Sequence, residues 1–324
     1  RPTAGTASGV HPVPLGFGRV YVHLDGEFGY DEWIHGLDAG HSFVTTGPLV
    51  DVRINGELPG TTFQVDESDS GNFIVKATGI EQRFAYIKEG ILDIDRMRPL
   101  IPERPEEALS NQAEISLFAA KDAIRNAGIN GSDMDAVIVS CAYTQRSYPA
   151  IAIEVQHALG IEGFGFDMLV ACSAATFALH RAYEMVASGT ARCVLSINPE
   201  LTSPQVNYCD RDSHFIFGDV ATATIVERAD TCSATHSFGI LGTRAQTQFS
   251  SHVRSNFGYV SRANDVDPYG ADKLFHQNGR RVFKEVCPLA IRHMAAHVSH
   301  HGLEISDVKR WWLHQANINM NLLI

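Results

Sequence analysis

The sequence predicts an α/β layered fold, and three observations carry that prediction. From residue 72 onward, short apolar runs rich in β-branched residues alternate with longer amphipathic stretches, the pattern of strands covered by helices. Helix-stopping glycines close two of those stretches, at Gly128 and Gly189. The 324 residues, 44% hydrophobic and 19% charged, hold enough apolar side chain for one large unit or two mid-sized domains.

Taken in order, residues 1–66 read differently from the rest. "GRVYVHLDG" (18–26) and "LVDVRING" (49–56) alternate as half-buried strands, the second ending on an Asn-Gly turn. "DEWIHGLDAG" (31–40) reads as a short helix capped by Asp31 and stopped by Gly40. "ESDSG" (67–71) is a polar break. Beyond it, "QAEISLFAAKDAIRNAG" (112–128) is an amphipathic helix, and "DAVIVSCA" (135–142) a buried parallel strand. Pro149 suits the first position of a helix over "PAIAIEVQHALG". "GFDMLVA" leads straight into the helix "CSAATFALHRAYEMVASG" (172–189). "CVLSINPE" and "ATATIVER" are further buried strands, "GRRVFKEVCPLAIRHMAAHVSHHG" (279–302) is a long helix, and "VKRWWLHQAN" (308–317) is strand, then loop.

Composition excludes several function classes. A net charge of -11 and a pI near 5.7 argue against a general nucleic-acid binder. No run has the apolar length of a membrane span. Cys141, Cys172, Cys193, Cys209, Cys232 and Cys287 form no CxxC and no Cys/His ligand spacing, so no structural metal is expected and reduced thiols in a cytoplasmic protein are. The chain opens on Arg1 without a signal pattern, and its start reads as a cut.

Two residues invite chemistry. Cys172 stands between an apolar strand and a helix that begins with Ser173, Ala174 and Ala175. A helix N-terminus favours a thiolate and lowers the thiol pKa, and small residues let a thioester come close. The competing reading is a small buried hydrophobe. His314, in "LHQAN" (313–317), ends an apolar run; it is either a structural histidine or the partner that thiol acyl chemistry needs.

Five segments then resemble one family. "NFIVKATGIEQR" (72–83), "VACSAATFAL", "CDRDSHFIFGDVATATIVE" (209–227), "NGRRVFKEV" (278–286) and "WLHQAN" (312–317) resemble β-ketoacyl-acyl-carrier-protein synthase III in content, order and spacing over about residues 68–324. The resemblance implies a thiolase-like αβαβα fold in five layers, incomplete at the C-terminus, in a homodimer. It implies Cys172 as acyl acceptor from a CoA thioester and His314 as donor to the malonyl thioester oxygen, with acyl-carrier protein as partner and no tightly bound cofactor or metal. Arg211 and Phe73 fall on positions that clamp the CoA adenine. Arg280, Arg281 and Lys284 offer a basic face to an acidic carrier protein, or are simply a solvated helix face. Asp219 reads as a turn residue. "ILDIDRMRPLIPERP" (91–105) resembles a subgroup that takes medium-chain primers.

The resemblance leaves residues 1–66 aside. "W-x-x-G-L-x-A-G-x-S-F-V-T-x-G-P" (33–48) is similar to a C-terminal piece of CehA/McbA-type PHP metallohydrolases, yet His11, His23, His35 and His41 show no metal-ligand spacing. The expected organisation is therefore a β-rich segment over 1–66, an N-terminal thiolase-like half over 67–235 and a partial C-terminal half over 236–324. The family's third catalytic residue, an Asn, follows the "HQAN" segment at a distance; Asn317, Asn319 and Asn321 lie too near His314 to serve, so slow acylation without efficient condensation is expected of residues 1–324. Head-to-head condensation of two acyl-CoAs, polyketide starter transfer, a metallohydrolase fragment and an inactive chimeric fragment stay open as alternatives.

Overall fold

The computed structural model describes residues 19–24, 26–45, 82–210, 213–267 and 270–324. The chain divides into two compact units, Arg1–Gln82 and Arg83–Ile324. In the first, β1 (Arg19–Val22), α1 (Tyr30–Ala39) and β2 (Ser42–Thr45) follow one another, and the two strands pair antiparallel. The helix starts earlier than its sequence suggests: Gly29 is the N-cap, and Asp31 lies inside the first turn, where a carboxylate favours the helix dipole. Gly40 closes α1 at φ 82°, its N–H shared between the carbonyls of Gly36 and Leu37. The Asn-Gly turn expected over 49–56 lies outside the described residues.

The second unit opens its regular structure with α2 (Asn111–Ala127), where the Ser110 hydroxyl accepts from the Ala113 N–H at 3.1 Å and Gly128 ends the helix in the left-handed region. β3 (Ala136–Cys141) is buried along its whole length. α3 (Ile151–Leu159) begins two residues after Pro149, not at it, because its cap comes from another strand. The Asp167 carboxylate of β4 (Phe164–Leu169) accepts the N–H groups of Ile151 at 2.8 Å and Ala152 at 2.9 Å. α4 (Ala174–Ala187), β5 (Cys193–Glu200) and β6 (Val220–Glu227) follow.

The strands form one sheet in the order β4-β3-β5-β6, with the first three parallel and β6 antiparallel to β5. Alternation along the strands sorts the core into two faces. Val137, Val139, Cys141, Leu195 and Ile197 pack with α2 and α3, while Ala136, Ile138, Val194 and Val226 pack with Ala178, Ala182 and Met185 of α4. The result is three layers, helix on sheet on helix. β6 departs from the expected buried strand: among the described residues it pairs on one side only, and Val226 alone of its residues is buried.

Towards the C-terminus come β7 (Val253–Arg254), α5 (Tyr259–Arg262), β8 (His276–Gln277), α6 (Gly279–His300) and α7 (Ile318–Leu323). β7 and β8 make a two-residue ribbon, and Cys287 is the one buried residue of α6. Residues 308–317 hold no strand, against expectation. No described neighbour pairs with them, and an extended run without a partner gains no ladder of hydrogen bonds. No described helix is long and apolar enough to cross a membrane.

Candidate active site

The three parallel strands deliver their C-terminal ends to one rim of the sheet. α3 carries the chain from β3 outward to β4, and α4 carries it back across to β5 on the other side of β3. In open α/β sheets, the crevice where crossovers part in this way is where ligands bind. Here the rim holds Cys141, Cys172 and Glu200.

Cys172 is placed by a sharp turn. After β4 the Val170 N–H donates to the Cys141 carbonyl at 3.2 Å. Ala171 then adopts φ 47°, and residues Ala171–Ser173 make one 3-10 turn into α4. A left-handed alanine costs about 1 kcal/mol, and the turn sets Cys172 at the head of the helix while leaving it exposed. The thiol pKa does not fall, as the helix N-terminus alone would suggest. Burial of the sulfur and the nearby Glu200 carboxylate push it up, and the residue's own amide opposes them without prevailing. Access and solvation part company here: one side of the residue is open to reagents, while protein crowds the sulfur on the others. Cys141 and Cys193 are buried, with their thiols pushed up to about 12 by burial first and carboxylates second.

Glu200 was not singled out by its sequence, although a lone carboxylate closing the apolar strand "CVLSINPE" is a usable signal. Its carboxyl accepts the Ala142 N–H at 3.2 Å, and burial pushes its pKa up to about 7. The loop beyond Cys141 is held by a polar network. Buried Gln112 donates to the carbonyls of Tyr143 at 2.8 Å and Pro199 at 3.3 Å and accepts from the Gln145 N–H. The Tyr143 hydroxyl donates to the Leu201 carbonyl, and Glu154 binds the Ser110 N–H, the Ser110 hydroxyl and Arg146. Asp219 ties three segments, accepting from the Ser203 N–H, the Ser203 hydroxyl and the Tyr86 N–H.

His314 lies on the extended stretch before α7, and burial lowers its pKa. Its neighbours Leu313 and Gln315 line a groove of about 580 Å³ against Ile291, Met294 and Ala295 of α6. Among the described residues no hydrogen bond joins Cys172 to His314, and neither is among the causes of the other's pKa shift. Arg280, Arg281 and Lys284 are exposed on the first turns of α6. Phe73 and Arg211 lie outside the described residues. Among the described residues no three His, Cys, Asp or Glu side chains are grouped to hold a metal.

Known proteins are similar to this chain over the segment that forms the rim and well beyond it. Residues 166–248, which run from β4 through Cys172 and Glu200 to beyond β6, match the family of 3-oxoacyl-[acyl-carrier-protein] synthase III. The chain is 51% identical over 255 residues to the β-ketodecanoyl-[acyl-carrier-protein] synthase of Pseudomonas aeruginosa, covering 79% of this chain and 73% of that one. It is 30% identical over 278 residues to the β-ketoacyl-[acyl-carrier-protein] synthase III of Granulibacter bethesdensis, covering 82% and 77%. The crystal structure of 3-oxoacyl-[acyl-carrier-protein] synthase III from Aquifex aeolicus shares the fold, with a TM-score of 0.59 at 24% identity over 76% of this chain and 68% of that one. With a relative this similar over most of both lengths, and a thiolase-like fold to match, the chain belongs to the 3-oxoacyl-[acyl-carrier-protein] synthase III family of condensing acyltransferases of fatty-acid biosynthesis.

Proposed function

We propose that Cys172 accepts an acyl group from a CoA thioester and that the acyl-enzyme condenses with malonyl-acyl-carrier protein. The observation that carries this reading is the placement of Cys172: exposed, at the head of α4, on a strained turn at the carboxyl rim of a parallel sheet. Its thiolate attacks the thioester carbonyl, the CoA thiolate leaves and takes up a proton, and the acyl group stays on the sulfur. Loss of CO2 from the malonyl group leaves a carbanion that attacks the acyl carbonyl and releases Cys172. His314 donates to the malonyl thioester oxygen as that charge develops. The burial-lowered pKa of His314 keeps its ring neutral at pH 7, which leaves one ring N–H to donate.

The primer in this reading is a medium-chain acyl-CoA. The ketodecanoyl specificity in the name of the 51% identical Pseudomonas relative supports it, as does the 91–105 segment. Arg211 and Phe73 hold the CoA adenine, and the exposed Arg280, Arg281 and Lys284 receive the acidic carrier protein. A cytoplasmic homodimer is the assembly proposed, with residues 67–235 and 236–324 as its two thiolase-like halves and 1–66 as an appendage. Incubation with acyl-CoAs of graded chain length, followed by peptide mass spectrometry, tests the first step. Acyl groups should appear on Cys172 and vanish in Cys172→Ser; acylation of Cys209 or Cys141 with Cys172 free would overturn the reading. A product assay with malonyl-carrier protein against a second acyl-CoA separates this condensation from the head-to-head one.

A further inference from the structure

Apolar burial does little to hold α6: of its 22 residues Cys287 alone is buried. Among the described residues, its polar contacts beyond its own turns run to one stretch of chain, residues 242–252. At the far end of that stretch, Glu285 accepts the Ser250 hydroxyl at 3.0 Å and pairs with His252 Nε2 at 3.3 Å. At the near end stand His293, His297 and His301, spaced by four residues and therefore on one face of the helix. His293 Nε2 lies 3.1 Å from the Arg244 carbonyl oxygen, and its Nδ1 lies 3.2 Å from Gln246 Oε1. His297 bonds the Gly242 backbone. The His301 ring lies so close to Gly242 that a Cβ there would fall 2.6 Å from its Cε1. Thr243, between these contacts, turns the other way, with its hydroxyl 2.6 Å from His180 Nδ1 on α4. Residues 242–246 are thus a strap, stitched by histidines between α4 and the C-terminal half of α6.

We propose that the strap over residues 242–246 holds the C-terminal half of α6 while the histidines of that helix face are neutral, and that acidification releases it. The charged and titratable groups around the strap set the sign. On α6, the His297 and His301 ring centroids are 4.8 Å apart, and His300 stands 5.3 Å from His301. The strap adds the cation Arg244. None of His293, His297 and His301 pairs with a carboxylate among the described residues, so protons on these rings gather like charges on one face. α4 supplies Glu184, but His180 Nε2 at 3.3 Å and Arg181 at 3.2 Å already share it. Burial first, with His301, His293 and Arg244 adding to it, lowers the His297 pKa, and the bond to Gly242 opposes them without prevailing. A released His297 therefore takes up a proton that the strapped one refuses. The hold is full above about pH 6.5 and is lost as pH falls through it. The far end responds in the opposite sense, because a protonated His252 gains from Glu285. Release is thus confined to residues 242–246, and the Glu285 end serves as the hinge.

The test is limited trypsin cleavage of the full chain after Arg244, whose carbonyl His293 holds. Each rate is divided by that of a free peptide of residues 238–250 at the same pH, which removes the protease's own pH dependence. In the wild type this ratio should rise about tenfold between about pH 7.5 and about pH 5.5. The matching ratio for cleavage after Arg254, beyond the Glu285 end, should stay level. His297→Lys carries its charge throughout and should be cut at the higher pH as the wild type is at the lower. The triple variant His293→Gln, His297→Gln and His301→Gln has no ring to titrate on this face and should lose the rise. Cys141 and Cys193, buried in the core, stay unlabelled by iodoacetamide in a folded variant. Should a variant label them, the wild-type comparison of Arg244 with Arg254 decides alone. A level wild-type ratio at Arg244, an equal rise at Arg254, a folded His297→Lys cut no faster than wild type, or a folded triple variant that keeps the rise would each overturn the strap.

Discussion

Asp167→Ala is the substitution for which the structure gives the clearest forecast. The Asp167 carboxylate is the cap of α3, yet it sits sixteen residues past the helix start, inside β4. It accepts the N–H groups of Ile151 and Ala152, both residues fully buried. Removing it strands two buried donors, each worth about 1–3 kcal/mol. Part of that is recovered, since burial of the carboxylate outweighs its hydrogen bonds and raises its pKa, so the variant no longer holds a charge away from water. The net cost should be about 2–4 kcal/mol. Asp167→Asn retains one acceptor and should lose about half as much. Hydrogen exchange of the α3 amides, alongside urea unfolding, measures both. Protection of Val155 and its neighbours should fall in Asp167→Ala by the same free energy as the unfolding shift or more. A variant within about 0.5 kcal/mol of wild type, with α3 equally protected, would show that the helix is held by packing on β3 and that the cap argument fails.

Two further outcomes are expected. Ala171→Gly should relieve the left-handed strain at φ 47° and, after the extra chain entropy of glycine, leave stability within about 1 kcal/mol of wild type, whereas Ala171→Val should cost about 1–3 kcal/mol and slow Cys172 alkylation; a valine variant that melts and alkylates like wild type would remove the turn from the argument. The double reversal Arg280→Glu and Arg281→Glu should raise the KM for malonyl-carrier protein about tenfold, with the effect shrinking in salt, and leave acyl transfer from CoA to Cys172 unchanged; equal loss in both steps would mean that this turn of α6 supports the fold and not the carrier.

What the sequence by itself determined was the set of local decisions. Ser110, Gly128 and the apolar face of residues 111–127 suffice to make α2, because cap, stop and period lie within one segment. "DAVIVSCA" and "CVLSINPE" read as buried strands since β-branched runs of that length bury on both faces, and they do. The position of Cys172 at a strand-to-helix junction was legible because a strand running into a small-residue helix is a contiguous pattern. The tertiary structure decided whatever depends on distant partners. α3 begins at Ile151 through a carboxylate on β4 that no local window contains. β6 lies at the edge of the sheet formed by the described residues and buries only Val226, because burial depends on what covers a strand and not on its own sequence. Residues 308–317 carry the apolar residues of a strand and form none, since a strand exists only with a neighbour. The thiol pKa at Cys172 belongs to the same class: the helix N-terminus that lowers it is written next to it, while the Glu200 carboxylate and the burial that raise it arrive only when β5 is laid beside β3.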